Sequence, residues 1–236
     1  MARYRFTSRS GGVSSTPYNS FNLASHVGDE LTSVLRNREI LAREMGLRLS
    51  DFFFMNQVHG NNVAVIDEHS QSSDAPTADA LFTMRTDVAL VVLVADCIPV
   101  LLETPTAVAA VHVGRRGLAA GVIAETVKHF TRNEIANTSI KAHIGASICA
   151  VCYEVDKKVY DEVVEAVPAT ATTIASKNGK PCLDLNQGLY SQLEKLGIAW
   201  SATGKCTMHH DDFFSYRAAA VTGRQAGVIT LKEQVV

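Results

Sequence analysis

The chain has 236 residues, of which 47% are hydrophobic and 19% are charged, and its formal net charge is −2. This length exceeds one average domain but is short for two well-developed ones, and we predict a single domain over residues 1–236. The near-neutral charge excludes long-range attraction to nucleic acid or to an anionic membrane. It still allows a local anion site built from a few arginines.

No segment has the properties of a membrane span or of a targeting signal. The longest apolar run, Val88 to Ala95, has eight residues, whereas a bilayer needs about 20. The N-terminal segment has no apolar stretch typical of a signal peptide. Five cysteines, an odd number, fit a reducing compartment better than a disulfide framework. We therefore expect a cytoplasmic protein, a monomer or small homo-oligomer, that binds neither membranes nor nucleic acid.

Helical and extended segments interleave along the chain. Apolar residues at helical spacing predict helices over Leu31–Met45, Leu118–Phe130, Asp156–Val167 and Asp184–Leu196. Asp29 and Asp184 are the expected N-caps of the first and last helix, and Gly46 and Gly197 are the expected ends. β-Branched runs predict strands over Phe52–Met55, Asn62–Ile66, Val88–Val94, Pro99–Leu102, Ala107–Val113, Ile140–Ile144 and Val228–Leu231.

The order of these elements predicts the fold class. Val88–Val94 is apolar at every position, so it should be buried on both faces. Strands and helices alternate without a strict βαβ repeat. We therefore predict an α/β (α+β) fold in which a mixed sheet is covered by helices.

Three metal-ligand side chains stand at or near the ends of predicted strands. His59 follows Phe52–Met55, Cys97 follows Val88–Val94, and His112 lies near the end of Ala107–Val113. Two imidazoles and one thiolate suit zinc, and three protein ligands leave the fourth position open, as in catalytic sites. The same trio could instead act as a cysteine nucleophile with a histidine base. Because separations of 38 and 15 residues form no compact motif, ordinary buried side chains are also consistent with the pattern.

Other cysteines give weaker patterns. Cys149-Ala-Val-Cys152 has the spacing of a redox motif or of half a zinc site, but no second cysteine pair completes a four-cysteine site. Cys206 with His209 and His210 is another candidate cluster. Its polar flanking residues favour an exposed loop, so we expect no metal there.

Ordered strings along nearly the whole chain carry a family resemblance. They include residues 7–14, 21–23, 26–29, 37–38, 57–60, 78–81, 95–102, 110–121, 152–155, 183–185, 206–207, 213–217 and 222–224. Among them are Gln57-Val-His59-Gly60, Ala95-Asp96-Cys97-Ile-Pro99 and Phe213-Phe-Ser-Tyr-Arg217. Together these strings resemble the YfiH family, whose members are called laccase-domain or polyphenol-oxidase-like and are also described as multifunctional purine nucleoside phosphorylases.

The resemblance implies a fold, a metal site and several activities. The fold is a central sandwich similar to the catalytic domain of cytotoxic necrotizing factor. The family's zinc ligands map onto His59, Cys97 and His112. Family activities are phosphorolysis of adenosine, inosine, guanosine and methylthioadenosine, adenosine deamination, and copper-dependent phenol oxidation, while some bacterial members are linked to editing of peptidoglycan precursors.

The chain also departs from the family strings. Arg115 replaces a tryptophan, and Ala146, Cys149 and Ala150 replace two prolines and a glycine. The three implied ligands are intact. We expect the departures to affect substrate preference.

Further residues of the matched strings are candidates for substrate binding. Arginine is the natural partner of phosphate, and Arg9, Arg116 and Arg217 are the candidates, although each could be a solvated surface side chain. Asn22, Gln57 and Asp79 could bind a ribose or base, or only cap local backbone. Asp96, next to Cys97, could orient a neighbouring group.

We therefore predict a zinc-dependent purine nucleoside enzyme that acts on a nucleoside and phosphate. The alternatives are a cysteine hydrolase that edits a peptidoglycan precursor, a copper-dependent phenol oxidase, and a metal-binding module without catalysis. A multicopper laccase centre needs about ten histidines, and the chain has eight. Copper could still occupy the zinc ligands, because affinity favours it.

Overall fold

Twelve strands and five α-helices make up the computed structural model in the part of the chain that it describes, residues 2–176 and 178–231. The strands are β1 (Arg3–Phe6), β2 (Phe52–Phe53), β3 (Val63–Val65), β4 (Ala80–Thr83), β5 (Ala89–Val94), β6 (Ile98–Glu103), β7 (Val108–Val113), β8 (Lys141–Ile144), β9 (Ala171–Ala175), β10 (Pro181–Leu183), β11 (Ala199–Ala202) and β12 (Gln225–Thr230). The helices are α1 (Leu31–Glu44), α2 (Arg115–Ala119), α3 (Val122–Arg132), α4 (Lys157–Ala166) and α5 (Leu185–Lys195).

The strands form two mixed sheets and a hairpin. The small sheet has the order β1-β12-β5-β2, and the large sheet has the order β11-β8-β6-β7-β4-β3. In the large sheet β11 runs parallel to β8 and β3 runs parallel to β4, whereas the central pairs are antiparallel. Strands β9 and β10 form the separate hairpin. The predicted mixed-sheet α/β fold is confirmed.

The two sheets pack face to face, and helices cover both outer faces. Leu90, Val92 and Val94 of β5 lie in the core between the sheets, together with Leu101 of β6 and Val108 of β7. The alternate residues of β5, such as Val91, pack under α1. The opposite face of the large sheet packs against helices α2 to α5. Strand β5 is buried at all six positions, as its uninterrupted apolar sequence predicts.

Two details of the predicted helices are wrong. The helix predicted over Leu118–Phe130 is two helices, because Gly121 takes a left-handed φ of +75° and breaks the chain direction between α2 and α3. Asp29 does not cap α1: Glu30 precedes the first helical residue and makes no side-chain cap bond. The Asp29 carboxylate instead accepts hydrogen bonds from Ser14 Oγ and Asn22 Nδ2. The Asp184 cap is confirmed, since its carboxylate accepts from the Gln187 N–H.

Five strands were absent from the prediction: β1, β4, β9, β10 and β11. All are three to five residues long, and β11 is exposed at every position, so it shows no buried alternation. No helix within the described ranges is long and apolar enough to cross a membrane.

We predict that Asn37→Ala destabilises the fold more than its helical position suggests. The buried Asn37 amide donates to Ser14 Oγ, Ser20 O and Asn22 O, and its Oδ1 accepts from the Val13 N–H. The substitution removes all four hydrogen bonds, including those to the Val13 N–H and Asn22 O, so the free energy of unfolding should fall by roughly 2–3 kcal/mol. Urea denaturation measures this change. Arg36→Ala, at an exposed position of the same helix, should change it by less than about 1 kcal/mol, and equal effects would contradict the prediction.

Candidate functional site

His59, Cys97 and His112 meet at one end of the interface between the two sheets. Their ligand atoms all lie within 4.8 Å of one another. His112 is in β7 on the same face as Val108 and Ala110, so its ring points between the sheets. Cys97 lies in the tight connection between β5 and β6. The three predicted ligands therefore converge, and they could hold one metal ion.

The buried Asp79 carboxylate orients both histidines. It accepts the Nδ1–H of His112 at 2.7 Å and the backbone N–H groups of His59 at 2.9 Å and Gly60 at 2.6 Å. With Nδ1 protonated toward Asp79, the Nε2 atom of His112 keeps its lone pair for a metal or a proton. Asp79, expected to bind substrate or cap backbone, thus supports the histidines.

Backbone conformation at the site is unusual. His59 has φ +60° and Asp96 has φ +90°, values that non-glycine residues rarely adopt. Gly114 allows the close approach of two ligands, because a Cβ there would lie 2.6 Å from His59 Nδ1 and 3.4 Å from Cys97 Sγ. No side chain larger than hydrogen fits at residue 114 without moving His59.

Charges at the site favour a thiolate beside an imidazolium in the absence of metal. Burial alone would raise the pKa of Cys97, but hydrogen bonds and positive charge from His112 and His59 lower it. Burial alone would lower the pKa of His112, but its hydrogen bonds to Asp79 and Cys97 raise it. Burial alone would raise the pKa of Asp79. The hydrogen bonds from His112 and from the backbone of Gly60 and His59, with the charge of His112, have the larger combined effect, so the pKa is lowered.

A cavity of about 500 Å³ opens beside the three ligands, and its wall includes two arginines. His26, Arg38 and Arg224 line it, and none of the described residues in its wall is an aspartate or glutamate. Burial lowers the pKa of Arg38 to about 10. Burial and the charges of both arginines lower the pKa of His26. The cavity is therefore a desolvated, positively charged space next to the His/Cys cluster.

The segment 22–24 holds the two arginines in place. Arg38 Nε donates to Leu23 O at 2.9 Å, and its guanidinium stacks on the Phe54 ring at 3.9 Å. The Arg224 N–H donates to Asn22 Oδ1, and Leu23 N donates to Arg224 O. In the described part of the chain, the guanidinium of Arg38 has no other hydrogen bond, so its terminal nitrogens remain available to a ligand.

The remaining candidate residues have varied positions. Asn22 uses its whole amide on backbone and Asp29, and Gln57 pairs with both backbone groups of Leu93. Arg9 binds Asn19, and Arg116 lies in a depression between α2 and α4; neither is among the described residues of the cavity wall. The Arg217 N–H donates to Asp96 Oδ2, which places Arg217 near Cys97. Substrate roles for these residues stay predictions.

Sequence reasoning missed Arg38, Arg224 and His26 as candidates. All three lie in strings that carry the family resemblance, so the positions were visible. Their burial in a common cavity was not, because it depends on the packing of α1 against the small sheet.

The fold and the site define a class of protein: a mixed α/β sandwich with a His₂Cys cluster at the end of its sheets. The family model described as multi-copper polyphenol oxidoreductase laccase matches residues 3–232. A protein of Streptomyces griseus named purine nucleoside phosphorylase is 42% identical over 234 residues, 98% of this chain and 94% of that protein. A protein of the same name from Streptomyces coelicolor is 40% identical over 233 residues, 98% and 96% of the two chains.

Solved structures show the same architecture. The crystal structure of YfiH from Bacillus licheniformis superposes with a TM-score of 0.90 at 29% identity, covering 98% of this chain and 93% of that one. The chain belongs to the laccase-like YfiH family, as its strings indicated.

We predict that Asp79→Asn weakens zinc binding at this cluster about 10- to 100-fold. The neutral amide cannot accept all of the N–H groups that the carboxylate accepts, so His112 and His59 lose their orientation. Competition with a chromogenic chelator measures the affinity. Asp161→Asn changes an exposed carboxylate on α4 and should leave the affinity unchanged. Equal affinities in the two variants would contradict the role given to Asp79.

Proposed function

We propose that the chain is a zinc-dependent purine nucleoside phosphorylase that cleaves adenosine, inosine, guanosine and methylthioadenosine and also deaminates adenosine. The observation that carries the proposal is the cavity in which Arg38, Arg224 and His26 face the His59–Cys97–His112 cluster without a lining carboxylate. The names of the relatives from Streptomyces support it.

The positive cavity suits inorganic phosphate. Guanidinium groups bind phosphate through several N–H donors, and a buried cation without an acidic partner gains most from an anion. Arg38 stacks on Phe54, which fixes the plane of its guanidinium. The phosphate would therefore meet pre-positioned donors.

The donor set fits zinc. Two imidazoles and one thiolate are ligands that zinc prefers, and three protein ligands would leave a fourth position open. All three residues line the cavity. A bound zinc ion would supply a Lewis acid beside the substrate. Asp79 holds His112 by Nδ1, and Gly114 leaves room for His59 and Cys97 to approach each other.

In phosphorolysis a phosphate oxygen forms a bond to C1′ of the ribose while the glycosidic C1′–N9 bond breaks. The electron pair leaves with the purine, which takes up the proton that the attacking hydrogenphosphate loses. Arg38 and Arg224 bind the phosphate, neutralise its charge and position its attacking oxygen in line with C1′. In deamination, water replaces the 6-amino group of adenine, and ammonia leaves.

A cysteine hydrolase is the alternative that a specific observation favours. Cys97 touches two imidazoles, which lower the pKa of its thiol to about 6 despite the opposing effect of burial, and such a thiolate is a nucleophile. This alternative requires activity that survives chelation and is lost on alkylation.

The cysteines support the cytoplasmic location that we propose. None of the five forms a disulfide, as is usual in a reducing compartment.

We expect phosphate-dependent release of hypoxanthine from inosine, and ammonia from adenosine. Chromatography of the products, with and without phosphate, measures both. Removal of metal should abolish the activity and zinc should restore it, while Cys97→Ala should remain inactive after zinc addition. The absence of both base release and deamination would refute the proposal. Activity retained after chelation and lost with iodoacetamide would favour the hydrolase, and oxygen consumption with phenols only after copper loading would favour the oxidase.

We predict that Arg38→Gln raises the KM for phosphate about 10- to 100-fold, because a charge-assisted hydrogen bond contributes roughly 1.5–3 kcal/mol. The KM for inosine should change much less. Initial rates at varied phosphate measure the difference. Arg36→Gln is the matched control, since Arg36 is exposed on the same helix and pairs with Glu39. An unchanged phosphate KM in well-folded Arg38→Gln would remove Arg38 from the anion site.

A further inference from the structure

A second cluster of metal-ligand side chains lies outside the cavity. Cys149 and Cys152 follow β8, and Cys206 and His209 follow β11. Strands β8 and β11 are parallel neighbours, paired from Lys141 with Ala199 to Ile144 with Ala202. Since parallel strands end at the same edge of a sheet, the segments that follow them lie side by side. The two pairs of residues, Cys-x-x-Cys and Cys-x-x-His, therefore meet although 53 residues separate Cys152 from Cys206.

The four ligand atoms have nearly the spacing of a tetrahedral site. All lie within 4.8 Å of one another. Cys152 Sγ is 3.0 Å from His209 Nε2, the nearer ring nitrogen, and Cys149 Sγ is 3.9 Å from the other ring nitrogen, Nδ1. Zinc–sulfur bonds of about 2.3 Å and zinc–nitrogen bonds of about 2.0 Å require S···S and S···N separations of roughly 3.5–3.8 Å. Only small side-chain adjustments would bring the four atoms around one ion.

Backbone hydrogen bonds hold the two segments together. The Ser147 N–H donates to Lys205 O, and the Thr207 N–H donates to Ser147 O. The Cys149 N–H donates to Cys206 Sγ at 3.3 Å, a contact that stabilises negative charge on sulfur. The cluster is thus built into two segments whose relative position is already fixed.

We propose that Cys149, Cys152, Cys206 and His209 bind one zinc ion in a closed, structural site. Three thiolates and one imidazole are a zinc donor set, and hard cations such as Mg²⁺ and Ca²⁺ prefer oxygen. Four protein ligands leave no position for water or substrate, unlike the His59–Cys97–His112 cluster. The ion cross-links the end of β8 to the end of β11.

The cross-link also supports the residue that precedes Cys97. Asp96 accepts from the Ile148 N–H through its backbone carbonyl and from Thr207 Oγ1 through its carboxylate. These donors lie one residue before Cys149 and one residue after Cys206. Asp96 needs such support, because its φ of +90° is strained. The structural ion therefore stabilises the backbone from which Cys97 projects.

The test compares His209→Ala with His210→Ala, its matched neighbour, which is exposed and outside the cluster. Both proteins are prepared without affinity-tag metals, and their zinc content per chain is measured by inductively coupled plasma mass spectrometry. We expect His210→Ala to keep the wild-type zinc content and His209→Ala to lose about one equivalent per chain or to hold it at least about tenfold more weakly against a chelator. Equal zinc content and equal resistance to chelation in the two variants would overturn the proposal.

A second measurement covers the case in which His209→Ala does not fold. Cys97→Ala removes the other thiolate site, so cobalt bound to this variant reports on the second cluster alone. We expect about one cobalt per chain with intense thiolate-to-cobalt charge-transfer absorption, as tetrahedral three-sulfur coordination requires. Bound cobalt without that absorption, or no bound cobalt, would refute the site. A Cys149–Cys152 disulfide that persists after treatment with reductant and metal would also refute it. None of these results depends on nucleoside turnover.

Discussion

The burial of one carboxylate, that of Asp79, organises the candidate site. A buried carboxylate is costly unless its oxygens accept several hydrogen bonds, and Asp79 accepts from the backbone of residues 58–60 and from the His112 ring. These bonds fix the left-handed backbone at His59 and the tautomer of His112 together. The geometry of both histidines is therefore set by the hydrogen bonds that the buried Asp79 carboxylate accepts.

A second constraint sets the electrostatics of the cavity. The backbone of Leu23 accepts from Arg38 and contacts Arg224, while Asn22 holds the Arg224 backbone. Two guanidinium groups and His26 are thereby kept in a partly desolvated space without a carboxylate in the described wall. Backbone carbonyl groups and the rings of Phe54 and Tyr216 stabilise this charge, and the charges of Cys97 and Asp96 act on Arg224. An anion would relieve the repulsion, and this is the physical basis for proposing that the cavity binds phosphate.

The sequence predicted the parts of the site that follow from strand ends. His59, Cys97 and His112 each stand beside a buried apolar run, and such positions converge when the runs belong to packed sheets. The arginines could not be predicted in this way. Charge does not reveal burial, and Arg38 occupies a helix whose apolar stripe places Val34 and Leu41 inward. Only the packing of α1 shows that Arg38 borders the cavity. The exposed strand β11 was missed because it has no buried face to create an alternating pattern.

The same missed strand explains why the second cluster was not predicted. A search for a second cysteine pair overlooks a histidine as the fourth ligand, and the parallel pairing of β11 with β8 is what brings Cys206 and His209 to Cys149 and Cys152. The two clusters are linked through the neighbouring residues Asp96 and Cys97. Asp96 is bonded to the segments of the second cluster, and Cys97 belongs to the first. A strained φ at Asp96 persists only if its surroundings over-determine it. Three donors do so through its carbonyl and both carboxylate oxygens: Ile148, which follows β8, and Thr207 and Arg217, which lie between β11 and β12. Cys97 is thus positioned by structure that a metal at the second cluster would make rigid, which gives a closed site a direct effect on the geometry of an open one.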